Sequence, residues 1–452
     1  MYIESFKAHN LRSIADLEWD LTGRSLEGWH VVLGDNGAGK TSFLRGICLA
    51  LLGPHNADPF VPDWGSYVRN GQEDASCEII VTRDTAFDEA PARFDNTREL
   101  ETWLGEDSQA STEAYNAAAR RMPARFFGGM SIKRQANGFA ETAKLGEQDR
   151  VDSLGDLLYL TGRFGGWFSA AYGPFRRFTG GDREEEARFL VRPLIGRHMS
   201  VFAERVALTQ PIEWLIGLYT GQLDTGKESE LLVAVRQFIN QEDFLPNGVR
   251  FDRVTSKDVL FIDAGGATVK IEDLSDGYRS ILCMTLELIR QLSLAYHDTE
   301  IFATENGITV DVPGVVLIDE VDVHLHPSWQ RTIGLWYRRH FPKIQFIVTT
   351  HSPLVCQAAE HGTVYALGGP GEDSHFVEGA DLDRLLYGDI LDAYSTELFG
   401  SDVDRSPQAQ ALIERLAQLN ILELERELDK SEKKEQKDLR RKLPTSAYTV
   451  SS

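Results

Sequence analysis

Four short motifs have residue types, spacing and an order along the chain that suit the binding and hydrolysis of ATP. They are residues 34–41 (GDNGAGKT), 274–277 (LSDG), 315–320 (VVLIDE) and 350–352 (THS). Each is short enough to arise by chance, but the four together, each in its expected local context, predict a nucleotide-switched ATPase. This chemistry requires elements that bring a glycine loop, two carboxylates and a histidine to one edge of a sheet.

Residues 34–41 match the phosphate-binding pattern GxxxxGK[ST]. Glycines let the backbone bend so that its N–H groups and the positive end of the following helix surround a phosphate. We expect Lys40 to reach the β- and γ-phosphates and Thr41 to complete the coordination shell of Mg²⁺. The residues predicted to bind the nucleotide in this part of the chain are Gly34, Asp35, Asn36, Gly37, Ala38, Gly39, Lys40, Thr41 and Ser42.

Two carboxylates, Asp319 and Glu320, follow the apolar run 315–318. Such a run predicts a buried strand of a parallel sheet, and open α/β sheets bind their ligands at the carboxyl ends of the strands. We expect Asp319 to hold Mg²⁺ through water and Glu320 to polarise the attacking water as a general base. His351 follows the apolar run 344–348 and is the candidate for sensing the γ-phosphate. The alternative for each is an ordinary polar residue at a strand end or in a loop.

Ser275 and Gly277 lie at the start of a predicted helix, because apolar positions between 281 and 292 recur at helical spacing. A serine and a glycine at a helix N-terminus can bind a γ-phosphate, but Lys40 of the same chain already takes that phosphate. We therefore predict a head-to-tail dimer in which Ser275 of each copy caps the ATP of the other. An N-cap serine followed by a tight turn is the structural alternative.

Hydrophobic patterning predicts the elements that position these motifs. A helix is expected over 43–52, directly after the glycine loop, and a hairpin over 258–271 around Ala-Gly-Gly, directly before Ser275. Strands are predicted at 29–33, 77–81, 315–318, 344–348 and 363–367. These patterns divide the chain into an ATPase head at 1–83 and 250–380, a mainly helical insertion at 84–249 and a helical region at 381–452.

Composition indicates a globular protein with a large core, since the chain has 452 residues of which 42% are hydrophobic. Its apolar runs are too short to cross a bilayer and no signal peptide is evident, which predicts a cytoplasmic protein without a membrane partner. The net charge of −22 opposes general adhesion to nucleic acid. Any DNA contact must therefore be local or made by a partner. A basic and aromatic segment at 120–180 leaves such a contact open beside an ordinary amphipathic surface.

Taken together, the four motifs resemble those of the ABC-type ATPases of the SMC and RecF superfamily, with Walker A at 34–41, the signature at 274–277, Walker B at 315–320 and the switch histidine at His351. This resemblance implies an α/β fold with a mixed sheet around the P-loop, an antiparallel β-subdomain, ATP and Mg²⁺ as cofactors, and a homodimer or higher homo-oligomer. The opening 6–13 (FKAHNLRS) also resembles that group, in which an arginine matching Arg12 lies near the nucleotide. Gln135 is a candidate for the Q-loop glutamine.

Three further stretches, 172–177 (YGPFRR), 274–279 (LSDGYR) and 319–327 (DEVDVHLHP), resemble the PtuA family of ATPases from Septu anti-phage systems and their retron-associated relatives. The resemblance implies an HNH nuclease partner of the PtuB type, held in check until nucleotide status changes. Asp276 departs from the usual LSGG signature and brings negative charge toward the second copy's phosphates, which predicts slow or regulated turnover. The alternatives are a RecF-like DNA-repair clamp, the energising subunit of a membrane importer, and a nuclease in which Asp381 and Asp383 bind metal.

Overall fold

The computed structural model describes residues 1–88, 124–135, 140–145, 166–178, 180–182, 193–203, 206–296, 301–304, 307–369, 371–394, 396 and 407–443. The strands in these ranges are β1 (Tyr2–Leu11), β2 (Ile14–Asp20), β3 (Gly28–Leu33), β4 (Asp74–Thr82), β5 (Arg125–Arg134), β6 (Ala140–Lys144), β7 (Ser169–Tyr172), β8 (Arg250–Val254), β9 (Val259–Ile262), β10 (Thr268–Lys270), β11 (Phe302–Ala303), β12 (Thr309–Val310), β13 (Gly314–Ile318), β14 (Ile344–Thr349), β15 (Gly362–Ala366) and β16 (His375–Phe376). The helices are α1 (Lys40–Ala57), α2 (Pro193–Gly196), α3 (Met199–Phe202), α4 (Gln210–Thr225), α5 (Glu230–Ile239), α6 (Asp276–Ala295), α7 (Pro327–His340), α8 (Pro353–Cys356), α9 (Gly379–Tyr387), α10 (Ile390–Tyr394), α11 (Pro407–Glu425) and α12 (Lys430–Lys442). Two compact units divide the chain, Met1–Tyr387 and Gly388–Ser452.

A six-stranded sheet in the order β16-β15-β3-β14-β13-β7 forms the centre of the first unit. Its strands are parallel except for β16, which pairs antiparallel with β15. Strands β13 and β14 are buried on both faces, as their continuous apolar sequences predict. Because Val348 pairs with both Ile318 and Val31, the carboxyl ends of these three strands meet at one edge.

Helix α1 packs between this sheet and a second, antiparallel sheet of order β2-β1-β4-β5-β6. The ring of Phe43 on α1 packs edge-on against Phe6 on one side, with the ring centroids 5.3 Å apart. On the other side it packs against Tyr365, with the centroids 6.4 Å apart. The side-chain amide of Gln345 joins the two sheets, since it accepts from the N–H of Ile3 at 2.6 Å and donates to the Ile3 carbonyl at 2.8 Å. The mixed α/β fold with an antiparallel sheet is confirmed.

Most of the individual elements predicted around the motifs are confirmed as well. Strands form at each of the five predicted apolar runs, and β9 and β10 form the predicted hairpin. A turn at 271–273 then leads into the long helix α6. Helix α1 covers the predicted 43–52 and continues past it across a kink at Gly53, whose φ of 69° interrupts the helix just before Pro54.

Strands β5, β6 and β7 were not predicted from the sequence. They lie within 84–249, so the described residues of the predicted insertion contain strands as well as helices. Strand β5 pairs along its length with β4, and β7 pairs in parallel with β13. These pairings join segments far apart in the chain, and local periodicity carries no information about them. The boundaries of the three predicted regions stay a prediction.

Helices α11 and α12 of the second unit form a short hairpin. Arg415 on α11 donates to Glu435 on α12 at 2.9 Å through both of its bonding nitrogens. The second helix begins with a capping box, in which Asp429 and Glu432 each accept from the other's backbone N–H. This is the polar, helical character that the sequence predicts beyond 381. Among the described residues, no helix combines the length and the apolar character needed to cross a bilayer.

A test of the packing concerns Glu4, whose carboxylate accepts from Arg125 on β5 and from Thr82 and Thr22. The hydrogen bond from Arg125 is the main cause that holds the pKa of Glu4 below its ordinary 4.5. Stability from this carboxylate is therefore fully present above that value and is lost as pH falls through the lowered pKa. We expect Glu4→Gln to reduce the free energy of unfolding by about 1–2 kcal/mol at pH 7, with the difference shrinking in acid.

Urea unfolding between pH 3 and pH 7 measures this effect. Glu18→Gln is the matched control, because the Lys7–Glu18 pair lies on the same sheet with both side chains more than half exposed and such pairs contribute little. Equal unfolding curves for the Glu4 variant and the wild type at pH 7 would contradict the assignment.

Candidate nucleotide site

The glycine loop connects β3 to α1 at the carboxyl edge of the parallel sheet. Gly39 occupies the N-cap position of α1 with φ 104°, a conformation that side chains with a Cβ rarely adopt. A Cβ at this position would lie only 2.7 Å from Oγ of Ser13. The loop therefore needs glycine here both for its backbone conformation and for its contact with the β1–β2 turn. The N–H groups in the first turn of α1 and the positive end of the helix dipole suit this position to the binding of an anion.

Lys40 is the first residue of α1 and its side chain is nearly buried. Its ammonium group donates to the carbonyls of Gly34 at 2.6 Å and Asp35 at 3.1 Å. The Nδ1 atom of His351 lies 3.5 Å from Nζ. Burial lowers the pKa of Lys40, while the carboxylates of Asp319 and Glu320 oppose that shift. The structure thus brings the lysine and the histidine of two separate motifs together.

Asp319 follows β13 directly and is almost fully buried. Its Oδ2 accepts from the Thr41 hydroxyl at 2.8 Å, and its Oδ1 accepts from the Thr349 hydroxyl at 2.5 Å. The carboxylate therefore joins α1, β13 and β14 at a single point. The Thr41 hydroxyl and the Asp319 carboxylate supply adjacent oxygen atoms, which are the donors that Mg²⁺ prefers. The predicted Mg²⁺ pair fits this arrangement.

Glu320 adopts a left-handed backbone conformation, with φ 46°. Its N–H donates to the Thr349 hydroxyl at 2.8 Å, and its carbonyl accepts from the Arg176 guanidinium at 3.0 Å. Such a conformation costs about 1–3 kcal/mol for a residue other than glycine and persists only where neighbouring contacts hold it. Here the peptide groups on both sides of the Cα are held, while the Glu320 side chain remains partly exposed.

His351 lies in the loop between β14 and α8. The residues on either side of it are tied down, since Thr350 donates to the Asp322 carboxylate at 2.5 Å and Ser352 donates to the Gln330 side chain at 2.7 Å. Ser352 also caps α8 by accepting from the N–H of Leu354. The histidine therefore sits on a loop fixed both to the segment after Glu320 and to α7.

Ser275 is the N-cap residue of α6, but its hydroxyl makes no capping hydrogen bond and is exposed. The structural alternative considered for this serine therefore holds for its position and not for its side chain. A Cβ on Gly277 would lie 2.8 Å from the carbonyl oxygen of His324, so the start of α6 packs closely on the loop that follows Glu320. No hydrogen bond among the described residues joins Ser275 or Gly277 to the glycine loop.

Asp276 forms an ion pair with Arg279 one turn later on α6. The hydrogen bond from Arg279 is the largest cause that lowers the pKa of Asp276. The negative charge that distinguishes this signature from LSGG is therefore accompanied by a positive charge at the same helix end.

Arg12 and Gln135 differ in where they lie relative to the cluster formed by Lys40, Thr41, Asp319 and His351. Arg12 has φ 53°, stacks on the ring of Tyr67 at 5.0 Å and precedes Ser13, the residue in contact with Gly39. Its turn therefore lies beside the glycine loop. Gln135 follows β5 in the antiparallel sheet, whereas the strand that pairs with β13 on its outer side is β7. The Q-loop assignment of Gln135 stays a prediction.

Two residues of this cluster, Thr349 and Arg176, were not assigned to it from the sequence. Thr349 is the last residue of β14, directly before the predicted THS motif. Arg176 belongs to the basic and aromatic segment at 120–180. The described members of that segment divide between the core, as Arg176 and Trp167 do, and exposed positions, as Phe175 and Arg177 do. Arg120, Arg121 and Arg163 lie outside the described residues.

The role of Thr349 can be tested by removing its hydroxyl. Thr349→Val removes the hydroxyl partner of Asp319 Oδ1 and of the Glu320 N–H, and we expect a loss of about 1–3 kcal/mol in unfolding free energy. Thr349→Ser keeps the hydroxyl and is the matched control, expected to unfold close to the wild type. Chemical denaturation measures both variants. A valine variant as stable as the serine variant would show that this hydroxyl does not hold the strand end together.

The family described as "AAA domain, putative AbiEii toxin, Type IV TA system" matches residues 200–357 of the chain. The Septu protein PtuA of Bacillus mycoides (strain KBAB4) is 24% identical over 405 residues, which are 87% of this chain and 45% of that protein. The Retron Ec83 probable ATPase of Escherichia coli is 38% identical over 109 residues, 24% of this chain and 19% of that protein. The chain thus spans less than half of the length of these curated relatives.

Among solved structures, the SMC head domain from Thermotoga maritima aligns with 84% of this chain and 99% of its own, at 13% identity and a TM-score of 0.42. The resemblance to PtuA and retron ATPases that the sequence predicts is confirmed by homologues that carry those names.

Proposed function

We propose that the chain is an ATP-binding and ATP-hydrolysing switch subunit of a bacterial anti-phage defence system. The observation that carries the proposal is the convergence of Lys40, Thr41, Asp319 and His351 at the carboxyl edge of one parallel sheet. These residues come from three separate motifs and meet through direct contacts. A chance glycine turn or a pair of structural carboxylates does not require that meeting.

The proposed roles follow from the chemistry of the groups. Lys40 exchanges its bonds to loop carbonyls for oxygens of the β- and γ-phosphates, and the N–H groups at the start of α1 receive the β-phosphate. Thr41 and Asp319 hold Mg²⁺, which neutralises charge on the triphosphate when bound. Glu320 orients and deprotonates the attacking water, and His351, beside Lys40, contacts the γ-phosphate.

We further propose that two copies assemble head to tail around ATP. Ser275 supports this because its hydroxyl is exposed and is not used to cap its own helix. In such a symmetric dimer each copy gives Lys40 to one site and Ser275 to the other. Arg279, paired with Asp276, offsets the carboxylate that would otherwise face the phosphates and supports slow but intact turnover.

Mixing two inactive variants tests the shared site. Lys40→Met removes phosphate binding and Ser275→Arg blocks the helix end, so we expect each variant alone to lose ATP turnover. A mixed dimer contains one site with both native residues, and turnover should therefore return on mixing. Lys40→Met mixed with a Lys40→Met/Ser275→Arg double variant is the control that cannot form such a site. A mixture no more active than its components would contradict the shared site.

A second variant tests hydrolysis itself. Glu320→Gln keeps the size of the side chain but removes its basicity, so we expect kcat to fall by about 10²–10⁴-fold while ATP binding and self-association persist. Released phosphate and analytical ultracentrifugation measure the two properties. Unchanged turnover would contradict the assignment of Glu320 as the base.

The defence role is supported by relatives named Septu protein PtuA and Retron Ec83 probable ATPase. The switch role and a partner HNH nuclease of the PtuB type are what the resemblance implies. Co-purification with the product of the neighbouring gene, followed by nuclease assays with and without ATP, tests both. We expect a complex whose nuclease activity changes with nucleotide. Absence of a complex, together with ATP-dependent DNA binding by this chain alone, would instead support a RecF-like clamp.

A further inference from the structure

Arg176 is a buried cation that contacts three elements of the nucleotide site. It follows β7 and is 4% exposed. Its Nη1 donates to the carbonyls of Asp319 at 2.8 Å and Gly173 at 3.1 Å. Its Nη2 donates to the Glu320 carbonyl at 3.0 Å, and its Nε donates to the Ser280 hydroxyl at 3.1 Å. The guanidinium therefore links β7, the end of β13 and helix α6.

These contacts are unusual because their acceptors are neutral. Among the described residues no salt bridge involves Arg176, and its burial is the largest cause that lowers its pKa. Burying a cation without a carboxylate partner costs free energy that hydrogen bonds to carbonyls only partly offset. An apolar residue would avoid that cost but would leave three backbone carbonyls and the Ser280 hydroxyl without this donor. The arginine therefore serves to hold these groups of the site together.

The contact with Glu320 is the one that bears on chemistry. The left-handed backbone of Glu320 sets the direction in which its side chain leaves the chain. Arg176 donates to the carbonyls of Asp319 and Glu320, which belong to the peptide groups before and after the Glu320 Cα. Thr349 bonds to the same two peptide groups, through its hydroxyl to the Glu320 N–H and through its carbonyl to the Val321 N–H. Loss of Arg176 therefore removes one hydrogen bond from each of the two peptide groups that flank the strained backbone of Glu320. The carboxylate would then spend less time in the orientation that activates water.

The contact with Ser280 reaches the helix that carries the signature. Ser280 lies on α6 little more than one turn beyond Ser275, and Gly277 between them packs against His324. The start of α6 therefore packs directly on His324 and reaches Glu320 through Arg176. Any shift of α6 when its exposed N-terminus engages a second copy is transmitted to the backbone of Glu320 along this contact.

We propose that Arg176 is a positioning residue that holds Glu320 in its hydrolytic orientation and makes this orientation depend on helix α6. The proposal rests on the proposed ATPase function. It assigns to Arg176 no contact with the nucleotide.

A double-mutant cycle with Glu320 provides the test. Arg176→Lys retains the charge but cannot bridge the same set of acceptors, and we expect kcat to fall by about 10–100-fold with little change in KM, as for a small misplacement of a catalytic group. In a Glu320→Gln background the same substitution should produce no further loss, because it acts only through Glu320. Losses that multiply in the double variant would overturn the proposal. That outcome differs from failure of the proposed function, in which Glu320→Gln itself leaves turnover unchanged.

Two further variants separate positioning from folding. Arg290→Lys is the matched structural control. Like Arg176, Arg290 is a nearly buried arginine, but it lies on α6 far from Ser275 and bonds to Glu287. We expect it to lower the melting temperature and leave kcat unchanged. Ser280→Ala keeps the arginine and removes only its link to α6. It should lower kcat less than Arg176→Lys and add nothing in combination with it. If Ser280→Ala leaves kcat at the wild-type value, the dependence on α6 is wrong.

Discussion

The buried carboxylate of Asp319 is the interaction on which the rest of the site depends. It receives one hydroxyl from the first turn of α1 and one from the last residue of β14. A carboxylate this deep is stable only if its oxygens are hydrogen-bonded, so the threonines on both sides are required by the burial itself. Because Thr41 also belongs to the glycine loop, satisfying this one group places the loop and the strand end in contact.

The fold supplies the rigidity that this contact needs. Helix α1 is packed between two sheets, and the Gln345 amide joins those sheets through the backbone of Ile3. The start of α1 therefore cannot move far relative to the strands that carry Asp319 and His351. The parts of the site without such support are the exposed Ser275 and the partly exposed side chain of Glu320. These are the groups expected to respond to ATP or to a second copy.

Much of this arrangement could be predicted from the sequence, because the parallel strands are continuous apolar runs and the glycine loop has a strict residue pattern. Runs such as 315–318 end directly at the polar residues of the site, so strand and site were found together. Strand β7 could not be found in this way. Its four residues, Ser-Ala-Ala-Tyr, are all buried and show no alternation, and they owe their place to pairing with β13.

Thr349 and Arg176 escaped for a related reason. Arg176 bonds to Asp319 across 143 positions of sequence, and Thr349 bonds to it across 30. Arg176 lies in the stretch 172–177 that resembles the PtuA family, and Thr349 directly precedes the THS motif, but neither pattern indicates the bonds that these two side chains make. The left-handed backbone of Glu320 could not be predicted either, since the contacts that hold it include long-range bonds from both of these residues. Residue types revealed the groups that touch ATP in the proposed site, while tertiary contacts revealed those that hold them.

Calorimetric titration of ATP into the wild type and into Asp319→Asn, each with and without Mg²⁺, tests the central claim most directly. The substitution keeps the shape of the side chain and removes the charge that Mg²⁺ requires. The account predicts that Mg²⁺ strengthens ATP binding to the wild type and not to the variant, while binding without Mg²⁺ is at least as tight in the variant. An equal Mg²⁺ enhancement in both proteins would contradict it.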